Sequence, residues 1–134
     1  MLTYIILDWD LITPILDGTI LPGVTRDSVL ALAASHTNGT SSLSPNLPKI
    51  HQYERRLTMF ELLDYHRNGD LLEAFGSGTA AIICPVKSIG YDGSDIYLPS
   101  YAGGFGPVAR AMWERIVEIQ EGRRESDWSV VCEE

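Results

Sequence analysis

The sequence predicts a mixed α and β fold, and three observations carry the prediction. Residues 2–7 and Ala80–Tyr91 are rich in β-branched and aromatic types, as strands are. Val29, Leu30, Leu32 and Ala33, and later Val108, Met112, Ile116 and Ile119, fall at helical spacing. Asp92-Gly93, between two β-favouring runs, is a hairpin turn signal that adds an antiparallel character. At 134 residues, 45% of them hydrophobic, the chain is the size of one domain with a real core.

In order, the first element is a strand over 2–7. Asp17-Gly18 and Leu21-Pro22-Gly23 are turns. A helix follows with Thr25 as its N-cap and Asp27 as first-turn negative charge, fading near His36. Asn38–Pro48, almost entirely Ser, Thr, Asn, Gly and Pro, is expected to be a flexible loop. Ile50–Leu57 reads as a strand. Thr58-Met-Phe-Glu61 spells a capping box, opening a short helix that ends at Asn68-Gly69 with Phe60, Leu63 and His66 facing inward. Leu71–Phe75 reads as one more apolar turn, Ala80–Tyr91 as a strand, and Asp95–Leu98 as its hairpin partner. After the bend at Gly103, Gly104 and Gly106, Pro107 occupies the first position of a helix reaching about Glu121. The tail ending Trp128-Ser-Val-Val-Cys132 has no pattern, and no linker or repeat divides the chain.

Composition excludes several functions. The net charge is −8 with only 10 basic residues, so there is no positive stripe for a nucleic acid partner. No run approaches the roughly 20 apolar residues that span a bilayer, and no signal or transit peptide is visible. Cys84 and Cys132 are too few for a disulfide scaffold. The Asn38-Gly-Thr40 sequon reads as a loop. His36, His51 and His66 lack metal-ligand spacing, so no metal is expected. Glu61 and Asp64 read as a solvated helix face. Tyr97, Tyr101 and Trp113 read as core or interface, and Asp127-Trp128 as a subunit-contact tail.

Two glycine-threonine turns carry what chemistry the residues suggest. Gly76-Ser-Gly-Thr-Ala-Ala81 matches a dinucleotide turn by spelling, but that turn needs a helix after it. Here Ala81-Ile-Ile-Cys-Pro85 is β-favouring and ends in proline. Gly76–Thr79 can instead turn its N–H groups inward as an anion nest. Pro22-Gly-Val-Thr25 leads into a helix and so presents N–H groups at a positive dipole end. On spacing alone, two ordinary turns remain the favoured reading of both segments.

The segments Leu16-Asp-Gly-Thr-Ile-Leu-Pro-Gly-Val-Thr-Arg-Asp-Ser28 and Glu73-Ala-Phe-Gly-Ser-Gly-Thr-Ala-Ala-Ile-Ile-Cys-Pro-Val86 closely resemble branched-chain amino acid aminotransferases. Gly106-Pro107, Ile119-Gln-Glu-Gly122 and the Trp128-Ser129 tail, which looks fungal, extend the resemblance from about Pro14 to Cys132. It implies a fold type IV (D-amino acid aminotransferase-like) enzyme. Residues 1–134 would then be part of its larger domain, an incomplete β-pseudobarrel with surrounding helices. It implies pyridoxal 5′-phosphate as cofactor, with Gly23, Val24, Thr25, Gly78 and Thr79 holding its phosphate. The amides of Thr79 and Ala80 would receive the substrate α-carboxylate. The implied reaction moves an amino group between leucine, isoleucine or valine and 2-oxoglutarate. The implied assembly is a homodimer, cytoplasmic or mitochondrial. A D-amino acid transaminase or an aminodeoxychorismate lyase shares the fold and cofactor and is the second expectation.

The resemblance also implies a Schiff-base lysine, which this segment does not match. Lys49 closes the polar loop and Lys87 follows Pro85-Val86, and neither sits in the family's lysine motif. The small N-terminal domain, the acidic partner of the pyridine nitrogen and a phosphate-binding arginine belong upstream of the matching segments. A truncated, non-catalytic remnant or subunit-interaction module is therefore a rival expectation. In it the apolar face of the last helix would lie uncovered. Animal relatives carry a C-x-x-C redox pair in the Gly-Ser-Gly-Thr turn; here Ala81 stands three residues before Cys84, and Cys84 is expected to be a small buried hydrophobe.

Overall fold

A computed structural model describes residues 2–133. The elements in order are β1 (Leu2–Leu7), β2 (Asp10–Thr13), α1 (Val24–Asn38), β3 (His51–Glu54), α2 (Met59–Asn68), β4 (Leu71–Gly78), β5 (Ile82–Pro85), β6 (Ser88–Tyr91), β7 (Ser94–Tyr97) and α3 (Pro107–Gln120). A five-stranded sheet runs β3-β2-β1-β4-β5, antiparallel except for the β2–β3 pair, which is parallel and bridged by the α1 crossover. β6 and β7 form a separate hairpin.

The sheet is covered on both faces. Tyr4, Ile6, Leu11, Phe75 and Ile83 pack on one side with Val29, Leu32 and Ala33 of α1 and Val108, Met112 and Ile116 of α3. Ile5, Leu7, Ile12 and Ala74 pack on the other with Leu62 of α2 and Ile96 and Leu98 of the hairpin. The period-2 alternation of β1 sends successive residues to opposite cores. The predicted stripe of α3 is buried in full, so the uncovered face expected of an isolated remnant does not exist.

Several expectations need correction. Leu71–Phe75 is no helical turn but the first half of β4, which lies between β1 and β5. Its consecutive apolar residues are those of a strand buried on both faces, a pattern shared with buried helix. β2 was unmarked because the β1–β2 turn is Asp8-Trp9. Both residues have positive φ (46° and 68°), the primed-turn geometry that Asp92 and Gly93 also adopt at 49° and 73°. The first pair lacks the glycine that advertises such a turn. Ala80–Tyr91 is two strands: Val86 turns out of β5, its N–H donating to the Ala74 carbonyl at 2.8 Å.

Two smaller corrections concern the helices, one a strand and one a thiol. Gly23, not Thr25, is the N-cap of α1, which runs to Asn38 and closes on a left-handed Gly39 at φ 81°. The capping box of α2 is present, but its buried residue is Leu62. Phe60 is 74% exposed, His66 lies at the surface and Leu63 is only partly buried. The strand read over Ile50–Leu57 shrinks to His51–Glu54. Cys84 is exposed on β5, where the buried neighbour is Ile83.

The polar loop after α1 is irregular and fastened at several points. His36 Nδ1 accepts from the Leu43 N–H at 3.0 Å while Nε2 donates to the Pro48 carbonyl at 2.8 Å. Arg115, buried on α3, donates to Ser41 Oγ at 3.0 Å and the Ser42 carbonyl at 2.6 Å. Leu43 and Leu47 rest on the core.

The N-terminus of α3 is capped from a distance. Gly106 offers no side chain, and the Glu73 carboxylate of β4 accepts from the Val108 and Ala109 N–H groups at 2.8 Å each. A carboxylate at a helix N-terminus meets both unsatisfied donors and a favourable dipole. A Cβ on Gly106 would stand 2.5 Å from this carboxylate, so glycine is required there by space. Burial pushes the Glu73 carboxyl above its ordinary 4.5, and the two amide bonds pull part of the way back.

Both residues are therefore testable by denaturation. Glu73→Gln and Gly106→Ala should each destabilise the fold by about 1–3 kcal/mol, because a buried N–H loses its acceptor. The pH dependence has a definite sign. The folded chain holds the Glu73 proton more tightly than the unfolded chain. This contribution to stability is complete below about pH 4.5 and is lost as pH rises through the higher folded value. A series of urea midpoints across that window should fall with rising pH in the wild type and flatten in Glu73→Gln.

Candidate functional site

The two glycine-threonine turns, more than fifty residues apart in sequence, open onto one cleft of about 590 Å³. That volume is in the range of small-molecule sites. Its lining includes Gly23, Val24, Thr25 and Arg26 from the start of α1 and Ser77, Gly78 and Thr79 from the end of β4, with Thr3 and Thr19 beside them. Of the site residues expected from sequence, Gly23, Val24, Thr25, Gly78 and Thr79 are brought together. Ala80 lies exposed in the adjoining turn and is not part of the lining.

Each turn is built by its local sequence. Pro22-Gly23 holds an extended conformation (Gly23 φ −76°, ψ 145°) and delivers the chain into α1 with no side-chain cap. The first intrahelical bond runs from Asp27 N–H to the Gly23 carbonyl, so the N–H groups of Val24, Thr25 and Arg26 have no helical acceptor. Across the cleft, Gly78 pairs with Ile82, leaving a three-residue loop of Thr79, Ala80 and Ala81. Ile82 closes it at φ 58°, a left-handed conformation that a β-branched residue rarely adopts. A methyl group at Gly23 or Gly78 would meet no protein atom within 4 Å, so the backbone at both positions is open to approach.

Hydroxyl bookkeeping separates donors from bystanders. Thr19 gives its hydroxyl and its N–H to Asp17 Oδ1, and these bonds hold the Asp17 carboxyl below its usual range. Ser77 gives its hydroxyl to Tyr4. Among the described residues Thr25 and Thr79 donate to no protein acceptor. No carboxylate lines the cleft, although the chain carries 18 acidic residues. The site is rich in donors and free of carboxylates, which suits an anion.

Arg26 was not singled out from the sequence, where it read as one more polar residue in a first helical turn. It is 3% exposed. Its Nη2 pairs with Glu54 of β3 and donates to the Pro14 carbonyl at 3.2 Å, and its Nη1 is 3.5 Å from Asp27. Its Nε is buried with no partner among the described residues. Only the fold could reveal this, since Pro14 and Glu54 come from separate segments. The two lysines, Lys49 and Lys87, are exposed, and neither reaches the cleft.

No family model matches the chain. The cytosolic branched-chain-amino-acid aminotransferase of Saccharomyces cerevisiae is 46% identical over 124 residues, 91% of this chain and 31% of that protein. The mitochondrial enzyme of the same yeast is 43% identical over 122 residues, and the Dictyostelium discoideum enzyme 42% over 126. Among solved structures, the Escherichia coli branched-chain amino acid aminotransferase superposes with a TM-score of 0.67 at 30% identity. It covers 96% of this chain and 35% of its own. The pyridoxal phosphate-form of the Thermobaculum terrenum enzyme gives 0.61 at 27% identity, over 92% and 33%. The chain thus spans about a third of the length of the relatives it matches. Over that span it is similar to branched-chain amino acid aminotransferases and shares their type IV fold.

Proposed function

We propose that this chain supplies the anion anchors of a branched-chain amino acid transaminase, within that enzyme's larger, cofactor-binding domain. The observation that carries the reading is the convergence of two donor-rich, acid-free turns on one cleft. The N–H groups of Val24 and Thr25 and the hydroxyls of Thr25 and Thr79 would hold the phosphate of pyridoxal 5′-phosphate. Gly23 and Gly78 would let it approach the backbone. Arg26 beside them has its charge paired with Glu54 and Asp27, so the turn donors rather than a free cation carry the site. The fit is electrostatic: every one of these turn groups donates. When bound, the cofactor supplies an electron sink for charge developing at the substrate's α-carbon.

The amides of Thr79 and Ala80 would orient the substrate through its α-carboxylate. Fixing both ends of the reacting pair in one rigid turn is how proximity lowers a barrier. The substrates in this reading are leucine, isoleucine or valine and 2-oxoglutarate. The assembly is a homodimer in the cytosol or the mitochondrion. Neither Lys49 nor Lys87 is placed to take or return a proton in the cleft. The 134 residues alone therefore anchor and orient, which is the form in which the non-catalytic reading survives.

Calorimetric titration tests this directly. The 134-residue chain should bind pyridoxal phosphate in competition with inorganic phosphate, and Thr25→Ala and Thr79→Ala should each weaken binding about tenfold, the loss of one charge-assisted hydrogen bond. Binding that ignores both substitutions, or that phosphate does not displace, would sink the proposal. A leucine-to-glutamate transamination assay of the same chain should show no turnover, unaltered by Lys49→Arg or Lys87→Arg.

A further inference from the structure

We propose that Tyr4 is a positioning residue that sets the distance between the two anion-binding turns. The inference rests on the phosphate reading of the cleft and deepens it. Tyr4 lies on β1, opposite Phe75 of β4, and its ring stacks on the Phe75 ring at 5.0 Å. It is fully buried. With the ring clamped, its hydroxyl has one place to be, between the two turns. It donates to the Arg26 carbonyl in the first turn of α1 and accepts from Ser77 Oγ–H, each at 3.3 Å. Ser77 immediately precedes Gly78-Thr79, and Arg26 immediately follows Val24-Thr25. One phenol therefore ties the backbone of one turn to the side chain beside the other.

The chemistry of the group fits a spacer. A phenolic hydroxyl has one donor and can accept in return, and both capacities are used. Burial pushes the Tyr4 hydroxyl above its ordinary 10.0, so it keeps its proton and its donor role at any physiological pH. Both bonds are long for O–H···O contacts, so they contribute direction more than strength. Without the hydroxyl the Arg26 carbonyl keeps its helical bond, and the Ser77 hydroxyl becomes free to rotate toward the cleft. The β1–β4 pairing and the ring stack would survive unchanged. The loss would fall on the relative placement of the turns, on which a shared phosphate depends.

Tyr4→Phe isolates this role because it removes only the oxygen. Hydrogen exchange on the ligand-free chain should show about tenfold faster exchange at Asp27–Leu30 in α1 and at the Gly78 and Ile82 closing pair. Exchange at Ile6 and Glu73, in mid-sheet, should be unaltered. Pyridoxal phosphate binding should weaken about five- to tenfold, with the urea midpoint little moved. Ser77→Ala should match that loss, and the double variant should add nothing to it, since both act through one chain of bonds. Unaltered exchange at both turns in Tyr4→Phe overturns the proposal whatever the ligand does. So does faster exchange spread evenly over the sheet, which marks a general loss of stability. Faster exchange confined to the turns, in a wild-type chain that binds no pyridoxal phosphate, upholds the spacing role and fails the phosphate reading instead.

Discussion

The bond pair from Glu73 to the first amides of α3 is the interaction on which the rest of the structure depends. β4 carries a carboxylate on the face that is otherwise apolar core, and burying it there would be costly without partners. The partners are two N–H groups that the helix cannot satisfy itself. Each side offsets part of the other's penalty, so α3 has one seat on the sheet. Gly106 adds a steric condition to the same seat, since any side chain there collides with the carboxylate. α3 in turn holds the polar loop through Arg115, and the loop holds the end of α1 through His36.

From Glu73, β4 runs outward through Phe75, stacked on Tyr4, and Ser77, bonded to it, to Gly78 and Thr79. The core end of the strand is thus fixed by a buried charge and the cleft end by a buried phenol. That arrangement lets a chain of net charge −8 line one cleft with hydrogen-bond donors and no carboxylate. Charges more than about 10 Å apart are screened in physiological salt, so the overall sign matters little inside the cleft. What matters is the local set, from which carboxylates are absent: Asp17 is turned onto Thr19, and Glu54 and Asp27 onto Arg26.

Much of this was legible in the sequence, for reasons that differ by element. α3 announced itself by Pro107 at its first position and by a stripe at 3.6-residue spacing, and α2 by a capping box. The hairpin was marked by Asp92-Gly93. The Asp8-Trp9 turn has the same geometry without the glycine, so β2 was invisible, and with it the order of the sheet. β4 failed for a different reason: a strand buried on both faces has no alternation to read. The site residues came from the turns only through the resemblance of LDGTILPGVTRDS and EAFGSGTAAIICPV to a known family, since Gly and Thr at those spacings read as readily as ordinary turns. Arg26, Glu73 and Tyr4 did not, because their roles are set by partners 12 to 73 residues away.

The cleft's openness also bears on what these donors can do. Thr79 and Val24 are exposed, Val24 to 83%, so an anion held here keeps part of its water. A hydrogen bond to a solvated phosphate replaces one to water and gains only about the tenfold expected for Thr25 or Thr79, whereas the same bond in an enclosed site gains more from a low dielectric. Rigidity is the one advantage the exposed cradle retains: donors that need no reordering lose no entropy when the anion arrives. A left-handed Ile82 and a clamped phenol serve that end, holding donors in place before there is anything to bind. The 134 residues are therefore best understood as a preset frame. Under the proposed function its affinity would be limited by water, and what it would bring to catalysis is fixed position.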